Sequence, residues 1–169
     1  MNRYLTLIAA VLLAIATTAY ATSVRRLSLD DLVATAHSIV EGDVVGSRTY
    51  RSADGKLILT SYTINVRESL KGSPGSIVTL TTVGGRIGNT ILHVAGMPVF
   101  QPGEKAVLFL EKSGAYTTVV GLNQGKFTIS NNEVSNSLTG LSFPDRGPAK
   151  TVKMPLGEFK RQIQLRLNR

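Results

Sequence analysis

The sequence predicts a mainly β domain: a small antiparallel barrel, closed or nearly closed, with a short helix before it and a longer one after it. Three observations predict it. Stretches of alternating apolar and polar residues, clearest over residues 58–67, follow one another closely. The joints between them are turn sequences, Asp54-Gly55, Pro102-Gly103 and Asn131-Asn132, with no room for a crossover helix. The chain has no cysteine, so packing alone must hold it, and a barrel leaves few exposed edges.

The first 21 residues read differently. Arg3 supplies one positive charge, residues 5–16 are apolar apart from Thr6, and Ala19-Tyr20-Ala21 is a small-x-small site. This is the layout of a secretory signal peptide cut after Ala21. The apolar run of about a dozen residues is short against the roughly 20 needed to cross a bilayer. The expected product is secreted or periplasmic, without a stable membrane span after cleavage. Removing residues 1–21 from 169 leaves 148, enough for one domain with a core. Losing Arg3 takes the net charge from +8 to +7, which favours an anionic partner surface.

The mature elements follow in order. Ser28 and Asp31 have capping-box spacing, and Leu29, Leu32, Val33 and Ala36 share one helical face. Residues 39–50 read as a long strand, with bulges at Gly42 and Gly46. Residues 53–56 turn into a strand with Ile58, Tyr62, Ile64 and Val66 on one face and Ser61, Thr63, Asn65 and Arg67 on the other. Strands over 77–83 and 90–94 flank a loop at 84–89. Residues 106–110 are continuously apolar, as in a strand buried on both faces. Strands at 116–120 and 127–129 complete the domain, residues 22–134. Residues 135–150 read as an irregular linker. The C-terminal segment 151–169 carries a helix from about Pro155, striped by Leu156, Phe159, Ile163 and Leu167.

Gly121, Gly125 and Lys126 imitate a phosphate-binding loop. The spacing is one residue short, Phe127 replaces the magnesium-binding hydroxyl, and a strand pattern follows instead of a helix. The motif is expected to be a bend, with Phe127 and Ile129 inward and Lys126 outward. His37 and His93 are the only histidines, far apart and without ligand spacing. Glu41 and Asp43 share a strand face, but no nucleophile elbow or metal motif accompanies them. No paired aromatic platform interleaved with cations appears, so nucleic acid is not an expected partner. No cofactor and no catalytic residue are expected.

Three stretches carry a resemblance: residues 36–45, residues 62–72 ending in Lys71-Gly72, and residues 103–110. They resemble the inhibitory domain of tissue inhibitors of metalloproteinases and the netrin modules. A group of uncharacterised exported bacterial proteins looks similar at residues 100–105 and 121–127. The resemblance covers residues 28–130 and implies an OB-like (TIMP/netrin-like) barrel. Those inhibitors chelate a protease zinc through an N-terminal cysteine. This chain has none, its expected new N-terminus is Thr22, and the sequence offers nothing to anchor Thr22. The expected function is therefore an exported, non-enzymatic binding or accessory module for another exported protein. The alternatives are a regulator of a secreted metalloprotease, or an enzyme whose site is unrecognised. Arg86, Asn89 and His93 are the candidate contact residues, with the basic C-terminal helix as a second surface.

Overall fold

The computed structural model describes residues 22–144 and 151–169. The expected cleavage residues Ala19 and Ala21 lie outside them, as does the second part of the expected linker. The described chain is mainly β with two helices. Its elements are β1 (Thr22–Ser23), α1 (Leu29–Thr35), β2 (Ser38–Arg51), β3 (Ile58–Lys71), β4 (Ile77–Val83), β5 (Gly85–Ile87) and β6 (Thr90–Leu92). They continue with β7 (Lys105–Ser113), β8 (Tyr116–Val119), a 3-10 turn (Leu122–Gly125), β9 (Lys126–Ser130), β10 (Glu133–Ser135), β11 (Leu141–Ser142), β12 (Lys153–Pro155) and α2 (Leu156–Leu167).

Local chemistry sets the boundaries. The Asp31 N–H donates to Ser28 Oγ at 3.1 Å and the Ser28 N–H to Asp31 Oδ2 at 2.9 Å, a complete capping box that starts α1. The β2–β3 register shifts between Glu41 and Gly42 and again between Val44 and Gly46, so both glycines stand at bulges. Pro102 and Gly103 sit at the centre of a turn in which the Glu104 N–H donates to Gln101 O at 3.0 Å. Gly103 has φ +82°, the value a type II turn requires there.

The main sheet runs β12-β10-β9-β7-β2-β3-β4, with β8 also on β7, and its ladders are antiparallel. β7 is the hub. One edge meets β2, while the other is shared between β9 near its start and β8 near its end. The sheet curls until Cα atoms of β4 and β8 come within 8 Å, but no ladder joins them. Of the closed or nearly closed barrel expected from the sequence, the closed form is therefore not seen among the described residues. β8 spans four residues before the chain leaves at Val120 for the 3-10 turn, and this short edge does not bond with β4.

Both faces of β7 are buried, which explains its unbroken apolar sequence. Ala106, Leu108 and Leu110 point into the curl beside Val40, Val44, Tyr62, Ile64 and Leu80. Val107 and Phe109 point the other way, into a second core with Leu32, Val33, Phe127, Phe159 and Ile163. There the rings of Phe127 and Phe159 have centroids 4.5 Å apart, and Phe109 lies 5.6 Å from Phe127. Both helices dock on this face, and removing the Phe159 ring would cost about 3–5 kcal/mol.

Other expectations change at the edges of the domain. Ser135 ends β10, Asn136 is buried, and Leu141–Ser142 form a parallel bridge with Thr22–Ser23. The first part of the expected linker thus contributes to the fold. The C-terminal helix begins at Leu156 because residues 153–155 first pair with β10 as an edge strand. Thr22 is anchored, contrary to expectation. Its N–H donates to Gly140 O at 3.0 Å and its Oγ1 to Ala95 O at 2.6 Å.

Candidate functional site

Residues 84–89 are not a simple loop. Gly85 pairs with Leu92, Arg86 with Ile91 and Ile87 with Thr90, leaving Gly88-Asn89 as a two-residue hairpin turn. Such a Gly-Asn pair between short strands is a hairpin signal, and the sequence reading missed it. Gly85, at φ +131°, lets the chain fold across the end of β2 and β3. A Cβ there would lie 2.5 Å from Thr60 Oγ1. Thr60 Oγ1 donates to Gly84 O at 2.7 Å and sits 3.1 Å from Thr49 Oγ1, fastening the base of the hairpin.

The return arm is fastened as firmly. Ala95 O takes the Thr22 hydroxyl, and Gly96 O takes the Asn123 N–H at 3.0 Å. Gly96 also packs so tightly on Leu141 that a Cβ would come within 2.2 Å of its Cδ2. Segments far apart in sequence meet at this node, and no local pattern announces it.

All three candidate residues are exposed on this hairpin. Arg86 and Ile91 are a cross-strand pair with side chains on one face. Ile91 is 57% exposed, high for a β-branched apolar residue. Asn89 occupies the turn and His93 follows β6. Four residues of extended chain separate them by about 13 Å, so they form a contact face rather than a convergent polar site. Arg86 makes no ion pair among the described residues.

A cleft of about 620 Å³ opens beside the return arm, over the seam between β4 and β8. Leu57, Leu59, Met97, Tyr116, Val119 and Leu122 form its apolar walls. Inserting a strand between β4 and β8 would need about 9.6 Å, two strand spacings, and the seam is narrower than that.

The two carboxylates weighed from the sequence face separate cations: Glu41 pairs with Lys160, and Asp43 with Arg67. No group of three or more potential metal ligands occurs among the described residues. The strand alternation around Phe127 and Ile129 points Lys126 outward. Instead its ammonium is mostly enclosed, 2.8 Å from Glu104 Oε1, 2.5 Å from Val99 O and 4.3 Å from the centroid of the Phe100 ring. Lys126 opens a strand, so Gly121 and Gly125 flank a bend and a 3-10 turn rather than a helix N-terminus.

Compared with protein-family models, curated proteins and solved structures, the chain finds no match.

Proposed function

We propose that this chain is an exported, non-catalytic binding module that meets another exported protein through the outer face of the β5–β6 hairpin. Its scaffold is an open OB-like curl. The meander β2-β3-β4, the return of β7 beside β2 and the approach of β8 to β4 support that reading. One observation carries the function: Arg86 and Ile91 stand side by side and exposed on a hairpin fastened at both arms. A cation beside an exposed aliphatic group suits an acidic protein surface with an apolar recess, and a rigid mount lowers the ordering cost of binding. The net charge agrees in sign.

The test is a photo-crosslinking residue placed at position 91, with position 45 as the exposed control, in cells exporting the protein. A discrete adduct from position 91 that Arg86→Glu abolishes is expected. Equal adducts from both positions, or none, would reject the hairpin as the interface.

The metalloprotease reading keeps one supporting observation, the two hydrogen bonds that hold Thr22. Cleavage after Ala21 would leave an α-amine at that fixed point. Mature protein should then slow a secreted metalloprotease, and a form with one extra residue before Thr22 should not. Equal potency of the two would sink the amine mechanism.

A further inference from the structure

A second concavity lies on the opposite core, away from the hairpin. It is a cavity of about 170 Å³ between the segment leading into α1, the strand β12 and the helix α2. Leu27, Leu29, Leu32, Phe127, Met154 and Phe159 line it. Arg26, Gln124, Asn136 and Gln162 line it as well, and each is engaged elsewhere: the Arg26 guanidinium lies over the Phe143 ring, 4.7 Å from its centroid. Gln124 Oε1 accepts the Leu27 N–H at 2.8 Å, and Gln124 Nε2 donates to Arg25 O at 3.1 Å. Asn136 Oδ1 accepts the Val152 N–H at 2.8 Å, and Gln162 Nε2 donates to Glu158 at 2.9 Å.

The cavity is partly open to solvent, so a compact group can enter it without unfolding the walls. A water held here would need two to four polar partners, and these groups are largely committed. An apolar cavity of about 150 Å³ is large enough to take up benzene. We propose that this cavity is a binding site for a compact, uncharged apolar group about the size of one aromatic ring. The site is independent of the hairpin interface.

The chain offers its own reporters. Its three methionines are Met1, Met97 and Met154, so the mature protein keeps two, and only Met154 lines the cavity. Toluene titrated into protein carrying ¹³C-methyl methionine should give a saturable ring-current shift at Met154 and little change at Met97. Leu29→Phe, which places a ring in the cavity, should weaken the toluene response at least tenfold. Should that variant fail to fold, the xenon shift of ¹²⁹Xe with the unaltered protein reads the same space. An unmoved Met154 signal, or equal and unsaturable shifts at both methyls, would overturn the proposal. So would toluene binding that appears only after residues 145–150 are replaced by Gly-Ser, since their own chain would then be the occupant.

Discussion

Lys160 of α2 lies between Glu41 and Glu68, two carboxylates that stand directly opposite each other on β2 and β3. Like charges in register across a pair of strands repel, and the ammonium, 2.6 Å from Glu68 Oε2, offsets that repulsion while tying α2 to the sheet. Burial works against the charge on Lys160. The hydrogen bonds to Glu41 and Glu68 outweigh it and raise the lysine above its ordinary value. Lys160→Gln should lower stability by about 1–2 kcal/mol, since it leaves two facing, partly enclosed carboxylates without their cation. Adding Glu68→Gln should recover at least half of that loss. Urea titrations of the single and double variants check this, and strictly additive losses would contradict it.

The pH dependence has opposite signs at its two ends. Hydrogen bonds from Ser28 lower Asp31, and hydrogen bonds from Arg161 hold Glu158 down to about 2. Depressed carboxylates stabilise the fold above their unfolded values, and that contribution disappears as the pH falls through the folded ones. For Glu158 the window is from about 4.5 down to about 2. Raised Lys160 acts in reverse: its contribution is complete below 10.5 and is lost as the pH rises beyond that. Urea midpoints should therefore fall below pH 4.5 and again above pH 10.5. Ser28→Ala should cost about 1 kcal/mol at neutral pH and flatten the acid limb.

Two glycines in one strand should respond oppositely to the same change. A Cβ at Gly42 would come within 2.6 Å of Asn65 O and 2.7 Å of Ile64 Cγ2. Around Gly46 an added Cβ meets nothing within 4 Å. Neither residue has a positive φ, so space decides. Gly42→Ala should destabilise by about 1–3 kcal/mol through overpacking. Gly46→Ala should be neutral or stabilising by up to about 1 kcal/mol, because it narrows the unfolded ensemble. Thermal melts of the two variants separate the cases, and a shared direction would refute the steric argument.

Features governed by neighbours in sequence were legible. Ser28 and Asp31 are three residues apart, and their capping box follows from spacing alone. The bulges at Gly42 and Gly46, the Pro102-Gly103 turn and the doubly buried run 106–110 are local patterns too. Partnerships across long separations were not. Nothing near Thr22 announces Leu141, and nothing near Ala95 announces Asn123, because those contacts exist only once the sheet has curled. The open seam has the same origin: alternation shows that strands exist, while closure depends on where β8 ends. The candidate residues Arg86, Asn89 and His93 were legible as an exposed group, but their hairpin rests on Gly88-Asn89, a signal present and overlooked.

Lys126 lies in a strand whose alternation points it toward solvent, yet the fold encloses its charge. Its ammonium faces Glu104, and both side chains are only 13% exposed. Glu104 is also held by the Gln101 N–H at 3.0 Å and the Thr128 hydroxyl at 2.8 Å, so its position does not depend on the lysine alone. Lys126→Met keeps the aliphatic stem over Phe100 but strands a mostly enclosed carboxylate. It should cost about 2–3 kcal/mol, below the full penalty for a wholly buried pair because the other two donors remain. Glu104→Gln in that background removes the stranded charge, keeps an oxygen to accept the Gln101 N–H and turns an amide N–H toward the Thr128 hydroxyl, which can accept it. The double variant should be more stable than Lys126→Met alone, with a coupling of about 1–2 kcal/mol across the mutant cycle. A coupling near zero in urea unfolding would mean that the pair contributes through packing, and that Lys126 stabilises the bend by its stem on Phe100 instead of by its charge.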